Sequence, residues 1–146
     1  MGEFRKLSDT FYASPQVSPQ DISEAAAMGM ALVVNNRPDG EAADQPESAA
    51  IEAATRAAGM DYLAIPIGSA GFSEPQVERL QDALASAQGP VLGFCRSGTR
   101  STLLWSLAQA RSGGDPDAIA EAAAAVGYDV SPVRPAMDMF AARAAE

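Results

Sequence analysis

The sequence predicts an α/β domain built on a central, mainly parallel sheet of four to five strands flanked by helices, and three observations lead there. Short apolar runs alternate with amphipathic stretches. The runs are rich in β-branched residues and are bounded by Gly, Pro and Asn. Helical segments separate successive runs, and strands joined in that way pair in parallel through right-handed crossovers.

The elements follow in order. Residues 11–14 read as a first short strand. Ser18, Pro19 and Asp21 offer a helix N-cap with proline at the first helical position, so a helix is expected to about Met28, with Gly29 as its stop. Residues 31–35, Ala-Leu-Val-Val-Asn, read as a buried strand. Arg37-Pro38-Asp39-Gly40 is a turn. The composition of residues 45–58 is helical up to Gly59, and residues 62–65 form the next strand, closed by Pro66. Ser73-Glu74-Pro75 opens a helix through Ala87, which Gly89-Pro90 breaks. Residues 91–94, Val-Leu-Gly-Phe, make a continuous apolar strand of the kind found inside parallel sheets. Helices are expected at 99–111, at 115–127 behind Asp115-Pro116, and at 132–145.

The chain of 146 residues reads as a single domain over 1–146, with a C-terminal helical extension from about residue 113. That length buries roughly two thirds of the surface of the unfolded chain. Ten basic residues against nineteen acidic give a net charge of −9, which opposes binding to nucleic acid or anionic lipid. No run approaches a membrane span, and the start, Met1-Gly2-Glu3-Phe4-Arg5-Lys6, lacks a signal-peptide core. A cytoplasmic location is the expectation. Histidine is absent and Cys95 is the only cysteine. Ser-His-Asp and Cys-His catalysis therefore fall away, as do Cys/His zinc sites and an internal disulfide. No cofactor is implied.

The chemistry concentrates at Phe94-Cys95-Arg96-Ser97-Gly98-Thr99-Arg100-Ser101, which joins the most hydrophobic strand to a helix with no room for a long connection. A tight turn there aims successive backbone N–H groups inward as an anion nest, and the helix N-terminus adds its positive end. Gly98 permits the curvature. A thiol at the centre is expected to be favoured as its anion, with Thr99 and Ser101 donating to it and Arg100 gripping an oxyanion. Most lone cysteines are small buried hydrophobes. Two arginines, a glycine and hydroxyls so close by are unsuited to a core, and the loop lies at the carboxyl edge of the sheet, where ligands gather.

From about residue 7 to 107 the sequence resembles the small bacterial family called the beta-lactamase-hydrolase-like, phosphatase-like domain. The resemblance rests on residues 12–16 (Tyr-Ala-Ser-Pro-Gln), on residues 34–41 (Val-Asn-Asn-Arg-Pro-Asp-Gly-Glu), on Ile65-Pro66-Ile67, and on residues 95–101. It implies the three-layer architecture of dual-specificity phosphatases. It also implies, for some members, a persulfide dioxygenase as fused or neighbouring partner.

Phosphatases of this fold carry five residues between cysteine and arginine, whereas four separate Cys95 from Arg100. Phe94 stands where histidine is usual, and residues 68–73 hold no acid, which leaves Glu74 as the nearest one. General-acid help typically contributes a factor of about 10² to 10⁴. The shorter loop resembles that of rhodaneses. The first expectation is therefore sulfur transfer: Cys95 takes a sulfane sulfur from thiosulfate or glutathione persulfide and holds it as a persulfide. Arg96 and Arg100 would orient the donor, and Ser97, Gly98 and Thr99 would form the ring. The alternative is a protein tyrosine or dual-specificity-like phosphatase acting on a phosphoester through a Cys95 phosphocysteine. A non-catalytic anion-binding module is the third reading.

Arg37 and Asp39 follow a strand on the side of the Cys95 loop, so they are either pocket-lining, with Arg37 binding the anion and Asp39 a candidate acid under the phosphatase reading, or equally part of a plain surface turn. Asn35 and Asn36 are assigned structural hydrogen bonds. Trp105 is assigned to the core, and Met28, Met30, Met137 and Met139 to core or docking positions.

Overall fold

A computed structural model of the chain describes residues 3–146. Its sheet has the order β1-β2-β5-β3-β4. The strands are β1 (Arg5–Ser8), β2 (Phe11–Ser14), β3 (Leu32–Asn35), β4 (Asp61–Ala64) and β5 (Val91–Phe94). Strands β2, β5, β3 and β4 pair in parallel, and β1 runs antiparallel to β2. β1 is the one strand absent from the sequence expectation. Lys6 and Ser8 give it little apolar character, and a register shift between them breaks the ladder, as suits an exposed edge.

Helices α1 (Pro19–Ala27) and α2 (Ser48–Ala57) cover one face of the sheet, packing Ile22, Ala25 and Ile51 against Val33, Leu92 and Phe94. The other face carries α3 (Glu74–Ser86), α4 (Thr99–Arg111), α5 (Pro116–Ala125) and α6 (Arg134–Ala144). The result is the expected three-layer α/β architecture. Ser18 and Asp21 form a reciprocal capping box at α1, with bonds of 3.2 and 2.9 Å. Helix α2 starts at Ser48 rather than 45 because Pro46 and the Gln45 side chain, which bonds Glu41 N–H and the Pro38 carbonyl, belong to the preceding loop. The expected helix over 132–145 divides into a 3₁₀ turn at Ser131–Val133 and α6.

Helix α4 is the central one. It packs on β2, β5, α3, α5 and α6, and nine of its 13 residues are buried. Gly93 lets it and the Phe11 ring approach the sheet, since a Cβ there would lie 2.6 Å from Phe11 Cζ and 3.4 Å from Ser101 Cβ. Trp105 is buried and stacks on Phe11 with centroids 6.1 Å apart. Met30 and Met137 are buried, but Met28, at the C-cap of α1, and Met139, in the middle of α6, are about half exposed. Among the described residues no helix is long and apolar enough to cross a membrane.

Candidate functional site

Three parallel strands end together. Ser14, Phe94 and Asn35 are in register across β2, β5 and β3, so the segments following them converge on one edge. The Cys95 loop occupies the middle of that edge. Gln16 N–H donates to the Arg96 carbonyl (3.3 Å) from one flank, and Asn36 N–H donates to the Phe94 carbonyl (2.8 Å) from the other.

Cys95 is fully buried at the base of the loop, and its sulfur accepts the Gly98 N–H at 3.1 Å. Gly98 holds φ at +90°, the left-handed region open to glycine, and this turns its N–H inward. A Cβ there would run into the Tyr128 hydroxyl and lie 3.2 Å from the Ser14 carbonyl carbon. Tyr128 donates its hydroxyl to the Ser97 carbonyl (3.1 Å), and burial pushes the phenol's pKa up, which keeps it protonated as a donor.

Arg100, on the first turn of α4, reaches across to the loop after β3. Its Nη1 donates to Glu41 Oε2 (2.7 Å) and to the Ile67 carbonyl (2.8 Å), and its Nη2 donates to Glu41 Oε1 (2.9 Å). Glu41 also accepts from Arg37 Nε (3.0 Å), while Arg37 Nη1 donates to Gln16 Oε1 (3.0 Å). The hydrogen bond from Arg100 chiefly, with Arg37 assisting, lowers the Glu41 carboxyl from its ordinary 4.5 to about 2. Arg100 is in turn raised, first by Glu41 and further by the nearby Cys95 sulfur. The Arg100 guanidinium is thus fixed on a carboxylate, with the Cys95 sulfur near enough to favour its charge. Arg96 lies exposed beside it on the loop.

The hydroxyls are placed otherwise than expected. Ser101 is buried and donates its proton to Asn36 Oδ1 (2.7 Å), while Asn36 Nδ2 donates to the Ile65 carbonyl (2.9 Å). That proton ties α4 to the β3 and β4 loops instead of reaching the sulfur. Ser97 Oγ donates to Thr99 Oγ1 (3.0 Å), so these two groups close the rim upon each other. The carboxylates considered as acids are also engaged. Asp39 accepts the Ser48 N–H (2.8 Å) and caps α2. Glu74 is clamped by Arg111 and Arg143, each at 3.2 Å, and Arg143 chiefly lowers its pKa.

Glu41, Gln16 and Tyr128 were not singled out by sequence reasoning. Glu41 had a usable signal, four residues after Arg37 in a turn beside the loop. Tyr128 had none, because it arrives from 30 residues beyond Gly98 through packing alone.

Residues 3–112 match the family model described as beta-lactamase hydrolase-like protein, phosphatase-like domain. A beta-lactamase hydrolase-like protein of Agrobacterium fabrum is 36% identical over 104 residues, covering 71% of this chain and 24% of that protein. The chain spans about a quarter of the length of the curated relatives it matches. Among solved structures, a candidate phosphatase from Neisseria meningitidis is 32% identical, with a TM-score of 0.81 over 93% of this chain and 96% of that one. A cysteine-to-serine variant of Pseudomonas aeruginosa TpbA, in complex with phosphotyrosine, shares the fold at 20% identity and a TM-score of 0.68, covering 98% and 90% of the two chains. The matched family is described as phosphatase-like and the Neisseria meningitidis protein as a candidate phosphatase, which back the phosphatase alternative better than the sulfur transfer expected first.

Proposed function

The chain belongs to the beta-lactamase hydrolase-like family, phosphatase-like domain, and from that premise we propose that it is a cysteine-dependent phosphatase acting through Cys95. The observation that carries the reading is a buried sulfur bonded by a loop N–H, in a loop that runs into α4 at Arg100, whose guanidinium is fixed by Glu41 and the Ile67 carbonyl. The Cys95 thiolate attacks phosphorus, the bond from phosphorus to the leaving oxygen breaks, and that oxygen takes a proton from water. Water then attacks the phosphocysteine, the S–P bond breaks, and inorganic phosphate leaves with the thiolate restored. Arg100 and the loop amides offset the charge on the phosphoryl oxygens, with Arg96 at the rim and Arg37 holding Glu41 in place. The phosphotyrosine held by the TpbA variant suggests an aryl phosphate as the substrate class.

Sulfur transfer is the second reading, favoured by the four-residue spacing and by the engagement of Asp39, Glu41 and Glu74 in other bonds. In that case Cys95 attacks the outer sulfur of thiosulfate, sulfite leaves, and the persulfide passes its sulfur to cyanide or a thiol. A persulfide dioxygenase would then be a fitting partner.

Parallel assays separate the two. Hydrolysis of p-nitrophenyl phosphate that is blocked by orthovanadate and lost in Cys95→Ser is the expected outcome. Cys95-dependent thiocyanate formation without phosphate release would replace phosphoryl transfer by sulfur transfer.

A further inference from the structure

The peptide unit joining Ser97 to Gly98 is held at both of its polar ends. Its N–H donates to Cys95 Sγ at 3.1 Å, and its carbonyl accepts the Tyr128 hydroxyl at 3.1 Å. In a planar trans peptide these two groups point in opposite directions, so whatever fixes one fixes the other. Gly98, at φ +90°, tolerates the flipped orientation about as readily as the observed one. The local backbone therefore does not by itself keep the donor on the sulfur. A flip would bring the Ser97 oxygen toward Sγ and present a thiolate with the negative end of the dipole.

Tyr128 is itself braced. The Arg5 guanidinium stands 5.0 Å from its ring centroid, and Arg5 Nη1 donates to the Val126 carbonyl (3.1 Å). The residue lies beyond the 3–112 stretch matched by the family model.

We propose that Tyr128 is a positioning residue for the nucleophile: by holding the Ser97 carbonyl it keeps the Gly98 N–H aimed at Cys95, so the C-terminal extension completes the site. This rests on Cys95 being the nucleophile, and it does not depend on which substrate is turned over.

Tyr128→Phe removes one oxygen and leaves the ring on Arg5. A hydrogen bond of about 1 kcal/mol corresponds to roughly a fivefold effect. Alkylation of Cys95 by iodoacetamide in the folded variant near neutral pH is expected to slow about three- to tenfold, and the orthovanadate dissociation constant to rise by a similar factor. Both proteins should alkylate at one rate in concentrated guanidinium chloride. Folded-state alkylation and orthovanadate affinity equal to the parent's would overturn the proposal, whether or not thermal stability falls. Faster alkylation, from a loosened loop, would overturn it as well. If the parent hydrolyses no phosphoester, the phosphatase reading fails while the alkylation comparison still decides this one.

Discussion

Replacing Glu41 by Gln keeps the side chain's size and removes the charge that joins Arg100 to Arg37. A carboxyl held at about 2 instead of 4.5 has its charged form favoured by about 3 kcal/mol. The Glu41 side chain is 28% exposed, so solvent screening reduces the stability at stake to about 1 kcal/mol. Its pH dependence has a definite sign. The carboxyl is lowered in the folded state, so the contribution is complete above about pH 4.5 and is lost as pH falls toward about 2. Urea melts of the parent and Glu41→Gln should differ by about 1 kcal/mol near neutral pH, and the gap should close on the acid side of pH 4.5. Arg100 would keep its bond to the Ile67 carbonyl but lose its two-point hold, and misplacement of this order is expected to lower kcat/KM about tenfold. A stability gap that stays constant down to about pH 2, or unchanged kcat/KM, would refute the assignment of Glu41 as the group that sets Arg100.

Two further substitutions test the loop and its support. Gly98→Ala forces a left-handed backbone on a residue with a Cβ and pushes on Tyr128, so thermal melts should show about 2–3 kcal/mol of destabilisation together with loss of orthovanadate binding. Ser101→Ala strands the buried Asn36 Oδ1, at about 1–3 kcal/mol, with kcat reduced less than about fivefold. A fall of about 10² or more in kcat would instead place the Ser101 hydroxyl on the reacting sulfur.

The sheet and its site edge were legible because parallel strands buried on both faces leave continuous apolar runs, and Val91 to Phe94 followed at once by Cys95 is such a run. Strand β1 was not, since an edge strand with Lys6 and Ser8 carries no such pattern. At the site, spacing within one loop conveyed Cys95, Gly98 and Arg100 together. It could not convey where their hydrogens go: Ser101 turns to Asn36 and Arg100 to Glu41 because segments distant in sequence meet there. The family resemblance and the observed architecture agree. Loop length, Phe94 in the histidine position and the missing acid after Ile67 put sulfur transfer first, whereas the family match and the likeness to a candidate phosphatase back the phosphatase alternative better.

Arg100 is rooted in a helix walled in by the sheet and three other helices, and this limits how the protein can accommodate different substrates. A helix so enclosed cannot slide or tilt to follow a larger molecule. The adaptable wall is the segment between β3 and α2, whose Gln45 and Asp39 bonds run within the segment and to the first residue of α2. Selectivity among related proteins should therefore drift through changes in that segment outside Arg37 and Glu41, while the anchored arginine stays in place.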